Sequence, residues 1–228
     1  MAKNIVDVVN IKKIYNEGEE TEVRALDGIT LQIKKGEMVV IMGPSGSGKT
    51  TLLNCISGID SVNSGKIIVD GNDIQGMKDR EKTKYRASKM GFIFQSYNLI
   101  PVLNAVENVE LPLLINGVKG KEARNKAKSF LKLVGLGDRM YHFPNKLSGG
   151  QNQRVTISRA MVHNPAIIWA DEPTGNLDTK TANGIMKLIE KLNKEKNVTF
   201  VIVTHDLAIA KRAHRVINIE DGKVKEGS

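Results

Sequence analysis

Short runs of consecutive apolar residues alternate along the chain with stretches in which apolar residues recur every third or fourth position. That alternation is the pattern of a parallel sheet with helical crossovers, and it predicts an α/β core. Residues 37–42 read as a buried strand closed by a glycine-rich turn, after which residues 49–57 have helical spacing. Residues 166–170 and 198–203 are two further strands, each continuously apolar, as burial on both faces requires. Between them, Ile185, Leu188, Ile189 and Leu192 stand at i, i+3, i+4 and i+7 of a helix over 179–193. Residues 5–9 and 23–33 are β-rich with no helical crossover between them, which predicts an antiparallel hairpin layer at the start of the chain. From 104 to 136 the pattern turns helical, with Ala123, Ala127, Phe130, Leu131 and Val134 on one face of a helix over 121–134. A further helix is expected over 153–162, so a helical insert runs from Gln95 to near Asn164.

Composition narrows the class. A chain of 228 residues, 40% apolar and 26% charged, can bury a sufficient core without disulfides or a structural metal. Cys55 is the single cysteine, which excludes an internal disulfide framework and suits a reducing compartment. The opening residues have no apolar stretch of signal-peptide length, and the longest apolar run, 38–42, falls far below the roughly 20 residues that cross a bilayer. A cytosolic chain that does not span a membrane is expected. Lysine and arginine exceed aspartate and glutamate by 34 to 25, a net +9 that favours polyanionic surroundings such as nucleotides, nucleic acid or anionic lipid. Part of this excess lies between Asn116 and Lys146, either as a solvated helix face or as a polyanion contact.

Candidate chemistry sits at the ends of the predicted strands. Gly43-Pro44-Ser45-Gly46-Ser47-Gly48-Lys49-Thr50 fits the phosphate-loop pattern GxxxxGK[ST] between a strand and a helix. Its glycines let successive N–H groups turn inward, Lys49 supplies a mobile charge for the β- and γ-phosphates, and Thr50 offers a hydroxyl to Mg²⁺. The strand ending in Ala170 delivers Asp171 and Glu172 at its C-terminal end, where open α/β sheets bind ligands. An Asp there holds Mg²⁺ through water, and a neighbouring Glu polarises an attacking water. His205 and Gln95 each follow a buried strand on the same edge, which places both within reach of a γ-phosphate. Ser148, at an N-cap position before Gly149, Gly150 and Gln151, opens a second anion-binding helix start. One triphosphate does not need two cradles in one chain, so the second is expected to serve a nucleotide bound to another copy in a head-to-tail homodimer.

In order and spacing, GPSGSGKT, Gln95, LSGGQ, IIWADE, the 175–178 segment Gly-Asn-Leu-Asp and His205 resemble the ATP-binding cassette (ABC) ATPases over essentially the whole chain. The resemblance implies a P-loop NTPase (RecA-like) core with an N-terminal antiparallel β subdomain and an inserted α-helical subdomain. It implies a single nucleotide-binding domain over 1–228, with 1–95 and 164–228 as core and β subdomain and 96–163 as the helical subdomain that carries the signature. By position, Tyr15 corresponds to the aromatic that stacks on adenine, and Ser45, Gly46, Ser47, Gly48, Lys49, Thr50 and Thr51 to the holders of phosphates and Mg²⁺. Thr50, Gln95 and Asp171 fall at the metal, Glu172 is the implied base, and His205 orients water and γ-phosphate. Ser148, Gly149, Gly150 and Gln151 would close over ATP on the opposite subunit, with Asp178 crossing the interface. Asn152 and Trp169 depart from the residues usual in the family at those positions.

Within the family, the 107–113 segment and DEPTGNLD look most like the lipoprotein-release and macrolide- or peptide-export ATPases. That resemblance implies a subunit peripheral on the inner face of the cell membrane, driving a separate integral permease that docks between Gln95 and Leu113, with no specific nucleic acid. Soluble non-transport members of the superfamily and cell-division or signalling ATPases remain as alternatives. The stretch between Lys49 and Ser148 is too short for the long coiled coil of the repair clamps, and a kinase would leave LSGGQ without a role.

Overall fold

The computed structural model describes residues 3–225. Strands β1 (Asn4–Tyr15), β2 (Val23–Lys34) and β3 (Met38–Met42) lead into helix α1 (Lys49–Ile56). After β4 (Ser64–Val69) and β5 (Asn72–Asp73), α2 (Asp79–Lys89) leads to β6 (Met90–Phe94). Helices α3 (Ala105–Ile115), α4 (Gly120–Leu133) and α5 (Gly149–Met161) follow, then β7 (Ile167–Asp171), α6 (Thr179–Lys196) and β8 (Thr199–Thr204). Helix α7 (Leu207–Ala210), β9 (Arg215–Glu220) and β10 (Lys223–Val224) close the described chain.

Two sheets form. A six-stranded sheet runs β10-β9-β3-β8-β7-β6, parallel from β9 through β6. A four-stranded sheet, β2-β1-β4-β5, is antiparallel. The pleat explains why the parallel strands are apolar throughout: alternate side chains enter opposite cores. Val39, Ile41, Trp169, Val201 and Val203 pack with α1 and the antiparallel sheet. Met38, Val40, Ile168, Phe200 and Ile202 pack with α3, α5 and α6.

The expected α/β core, antiparallel layer and helical segments are all present. Helix α5 begins four residues before the expected 153, because Ser148 and Gln151 form a reciprocal capping box that recruits Gly149 and Gly150 into the first turn. The antiparallel layer is wider than a hairpin, since β4 and β5 join it. Helix α2 buries no residue, so its sequence carries no apolar period to read. Cys55 is buried on α1, and burial pushes its thiol up to about 12, leaving it protonated and inert.

One close approach aligns the helical segments with the sheet. A Cβ at Gly91 of β6 would stand 2.3 Å from the carbonyl oxygen of Ala160 in α5, so backbone meets backbone there. Gly91→Ala should therefore cost about 1–3 kcal/mol, as overpacking does. Urea unfolding checks this: a lowered midpoint is expected, and an unchanged one contradicts the packing described.

Candidate functional site

Strand β3 ends at Met42 and the phosphate loop turns directly into α1. Leu52 N–H donates to the Gly48 carbonyl at 2.8 Å, so the N–H groups of Lys49, Thr50 and Thr51 precede the first intrahelical bond. Gly48 is the N-cap and offers no side-chain acceptor, and the first turn holds no acidic residue. An uncapped helix start of this kind attracts an anion. Lys49, only 8% exposed, donates from Nζ to the Pro44 carbonyl at 2.6 Å, which folds its ammonium back along the loop.

The loop is braced from behind. Gly222 N–H in the β9–β10 turn donates to the Ser47 carbonyl at 3.1 Å, and Asp27 N–H in β2 donates to the Gly222 carbonyl at 2.9 Å. Gly48 has φ 97°, and a Cβ there would lie 2.4 Å from the Ala25 carbonyl oxygen. Both the left-handed backbone and the close approach require glycine.

The carboxylates arrive on the next strands. Register aligns Phe94, Asp171 and Val203, and Met42 with Thr204, so the four strand ends fall at one edge. Thr50 Oγ1 donates to Asp171 Oδ1 at 3.4 Å. Burial raises the Asp171 carboxyl above the usual carboxylate range, opposed by Thr50, reinforced by the Glu172 charge and opposed again by Lys49. Glu172 Oε1 accepts from His205 Nδ1 at 2.7 Å and Oε2 from Thr204 Oγ1 at 3.0 Å. Its backbone has φ 46°, a left-handed conformation in a non-glycine residue of the kind that stores about 1–3 kcal/mol at functional sites. The Glu172 N–H bond to the Val203 carbonyl, 2.9 Å, holds it there.

These residues surround one cleft of about 1410 Å³, lined among others by Tyr15, Lys49, Thr50, Gln95, Glu172 and His205. Ser45, Gly46, Gly48 and Thr51 line it as well. Ser47 and Asp171 adjoin the lining in sequence without forming part of it, and Gly43 lies two residues before it. Ser148, Gly149, Gly150, Gln151 and Asp178 are not brought to the cleft. They cluster instead at the starts of two helices. Ser148 Oγ accepts from Gln151 N–H at 3.3 Å, and Asp178 Oδ1 caps α6 by accepting from Thr181 N–H at 3.0 Å. The hydrogen bonds from Thr181 hold the Asp178 carboxyl below its usual range. A Cβ at Gly150 would meet Thr181 Cγ2 at 2.4 Å, so the two helix starts abut.

Several contributors were not legible in sequence. Gln95 Nε2 donates to Asn176 Oδ1 at 3.1 Å while Asn176 Nδ2 donates to the Gln95 carbonyl at 3.0 Å, tying the residue after β6 to the segment after β7. Arg159 of α5 donates to the Asn98 and Tyr97 carbonyls at 2.5 and 2.9 Å, so the helix that starts at Ser148 also fixes the loop after Gln95. Arg24, Ala25, Asp221 and Gly222 reach the cleft from β2 and the β9–β10 turn, by tertiary pairing that no local motif announces.

Comparison with known proteins agrees with this geometry. The family described as ABC transporter matches residues 26–175. An uncharacterized ABC transporter ATP-binding protein of Thermotoga maritima is 48% identical over 98% of this chain and 94% of its own length. The ABC transporter ATP-binding protein YtrE of Bacillus subtilis is 46% identical over 98% of both chains. Among solved structures, the cassette MJ0796 of Methanocaldococcus jannaschii, in a dimeric post-hydrolysis state bound to ADP and Pi, superposes with a TM-score of 0.88 at 47% identity, covering 97% of each chain. This chain belongs to the ABC transporter family, as an ATP-binding cassette with the P-loop NTPase fold that hydrolyses ATP.

Gly46 also has positive φ, 79°, but a Cβ there would meet nothing within 4 Å. Gly46→Ala should thus carry only the conformational cost, about 1 kcal/mol. Gly48→Ala adds the collision with Ala25 and should lower both the urea midpoint and ATP affinity further. Equal losses in the two variants contradict the bracing described.

Proposed function

We propose that this chain is the ATP-hydrolysing subunit of a membrane transporter or efflux complex, closing head-to-tail with a second copy around two Mg-ATP to drive a separate permease. One observation carries the reading. The cleft gathers the phosphate loop, Gln95, Glu172 and His205 at one sheet edge, while the helix start at Ser148 is held outside it within the same chain.

The residues fit both nucleotide and metal. Three N–H groups at an uncapped helix start and the Lys49 ammonium suit phosphate oxygens. Thr50 Oγ1 and Asp171 Oδ1 converge within 3.4 Å, and among the described residues no group of three or more His, Cys, Asp or Glu is arranged so that it could hold a metal ion by itself. That is the sparse oxygen set on which Mg²⁺ is held jointly with substrate phosphates and water rather than in a protein cage. Thr50, Asp171 and Gln95 would hold the ion, which when bound neutralises charge developing on the phosphates.

Glu172 is then the base: it accepts the proton of the attacking water, with Thr204 and His205 fixing its carboxylate through both oxygens. His205 stands beside it to orient water and γ-phosphate, and Lys49 meets β- and γ-oxygens. Tyr15, 38% exposed at the end of β1, stacks on the base. Ser148, Gly149, Gly150 and Gln151 close over the partner copy's ATP, and Asp178 crosses beside them; the dimer of MJ0796 supports this arrangement.

The permease docks beside Gln95, between that residue and Leu113. Ile100 and Val102 are exposed there, next to exposed Tyr141 and Phe143, and the Ala105 N–H bond to the His142 carbonyl, 2.9 Å, holds the two segments together. Among the described residues no helix is long and apolar enough to cross a membrane, which suits a subunit peripheral on the cytoplasmic face. The helical subdomain is taken as 96–163, and lipoprotein release or macrolide and peptide export as the closest kinds of work.

Glu172→Gln should reduce steady-state hydrolysis by about 10²–10⁴-fold while ATP still binds, because the carboxamide keeps the shape and loses the proton acceptor. Phosphate release measured at saturating ATP tests this, and undiminished turnover contradicts the base role.

A further inference from the structure

Lys13 and Tyr15 lie two residues apart near the end of β1, and both side chains meet Asp60. Asp60 reaches them from the turn that follows α1, where Asp60 N–H donates to the Asn54 carbonyl at 3.1 Å. Lys13 Nζ donates to Asp60 Oδ1 at 2.8 Å, and the Tyr15 hydroxyl donates to Asp60 Oδ2 at 2.9 Å. The same ammonium lies over the Tyr15 ring, 4.7 Å from its centroid. One carboxylate therefore fixes both the cation and the ring that the cation covers.

The exposures differ in a telling way. Lys13 is 8% exposed, whereas Tyr15 is 38% exposed and lines the nucleotide cleft. Ser61 N–H donates to Asp60 Oδ1 at 2.7 Å, so the carboxylate is itself anchored to the turn. Burial alone would pull the Lys13 ammonium down, but the bond and charge of Asp60 more than offset it and leave the ammonium above its ordinary value. Burial and the bond to Asp60 together raise the Tyr15 phenol, which stays a neutral donor. A largely buried ion pair adds little net stability over apolar residues of the same volume, whereas a hydrogen-bonded, cation-covered ring loses its freedom to turn.

We propose that Lys13 and Asp60 are positioning residues for the nucleotide base: they clamp Tyr15 by its hydroxyl and cover one ring face, so that the other face is presented to adenine at a fixed angle. This rests on the reading that Tyr15 stacks on the base. The clamp acts on the base alone, since neither Lys13 nor Asp60 lines the cleft. Its effect is thus expected on ligands that carry a base and not on a bare phosphate chain.

The experiment compares Mg-ATP with magnesium tripolyphosphate, which has the phosphates without the base, by titration calorimetry on the full chain. Tyr15→Ala should weaken ATP binding by about 5- to 100-fold, as loss of one base–aromatic stack does. Asp60→Asn and Lys13→Met should each weaken ATP by about 3- to 10-fold, within the range of a cation–π contact and a charge-assisted hydrogen bond, and leave tripolyphosphate unchanged. Tyr15→Phe, which keeps the ring and removes the hydroxyl's bonds to Asp60 and Thr51, should fall between wild type and Tyr15→Ala. Adding Asp60→Asn to Tyr15→Ala should cause no further loss. If Asp60→Asn and Lys13→Met leave ATP affinity intact while Tyr15→Ala lowers it, the clamp is overturned and the stacking reading stands. If Tyr15→Ala itself changes nothing, the stacking reading falls and the clamp with it. Weakening of tripolyphosphate in parallel with ATP would mark general damage to the phosphate loop and also overturns the clamp.

Discussion

The functional geometry depends on the register of four parallel strands. Because β3, β8, β7 and β6 run the same way and end in line, the residues that follow them emerge together at one edge of the sheet. Each strand end contributes a different chemical group: N–H donors and an ammonium after β3, two carboxylates at β7, a hydroxyl and an imidazole at β8, and a carboxamide after β6. No one of these segments makes a site. The continuous apolar runs that bury the strands on both faces are what hold the chemistry in place.

The helical segments are joined to that edge by backbone contacts rather than by a large shared core alone. Gly91 lets α5 lie directly on β6, and Arg159 of the same helix holds the carbonyls of Tyr97 and Asn98. Gln95 is fastened in turn to Asn176 on the far side of β7. The loop after Gln95 is therefore bonded both to α5, the helix that begins after Ser148, and to the segment that leads from Glu172 to Asp178.

Much of this was legible in the sequence because the burial is simple. Strands buried on both faces read as uninterrupted apolar runs, and the phosphate loop, Asp171, Glu172 and His205 stand at their ends. The helix α6 announced itself by the spacing of Ile185, Leu188, Ile189 and Leu192. What escaped lacks such a period: α2 has no fully buried residue, β4 opens on three exposed residues, and β9 alternates apolar with polar positions. The partners that position the site escaped for a different reason. Thr204, Asn176, Arg24 and the Lys13–Asp60 pair act across contacts between segments distant in sequence, which no local spacing encodes. The N-cap at Ser148 was visible, but the capping box that starts α5 at Gly149 depends on Gln151 turning back on the Ser148 N–H.

The central claim is that each nucleotide site is completed by a second copy, because the Ser148 helix start does not reach the cleft of its own chain. Sedimentation velocity on Glu172→Gln saturated with Mg-ATP tests it most directly, with a Glu172→Gln/Ser148→Arg variant run alongside. The account predicts a dimer carrying one ATP per chain for the first and an ATP-bound monomer for the second. A Glu172→Gln chain that binds ATP and stays monomeric, or a dimer that survives Ser148→Arg unchanged, contradicts it.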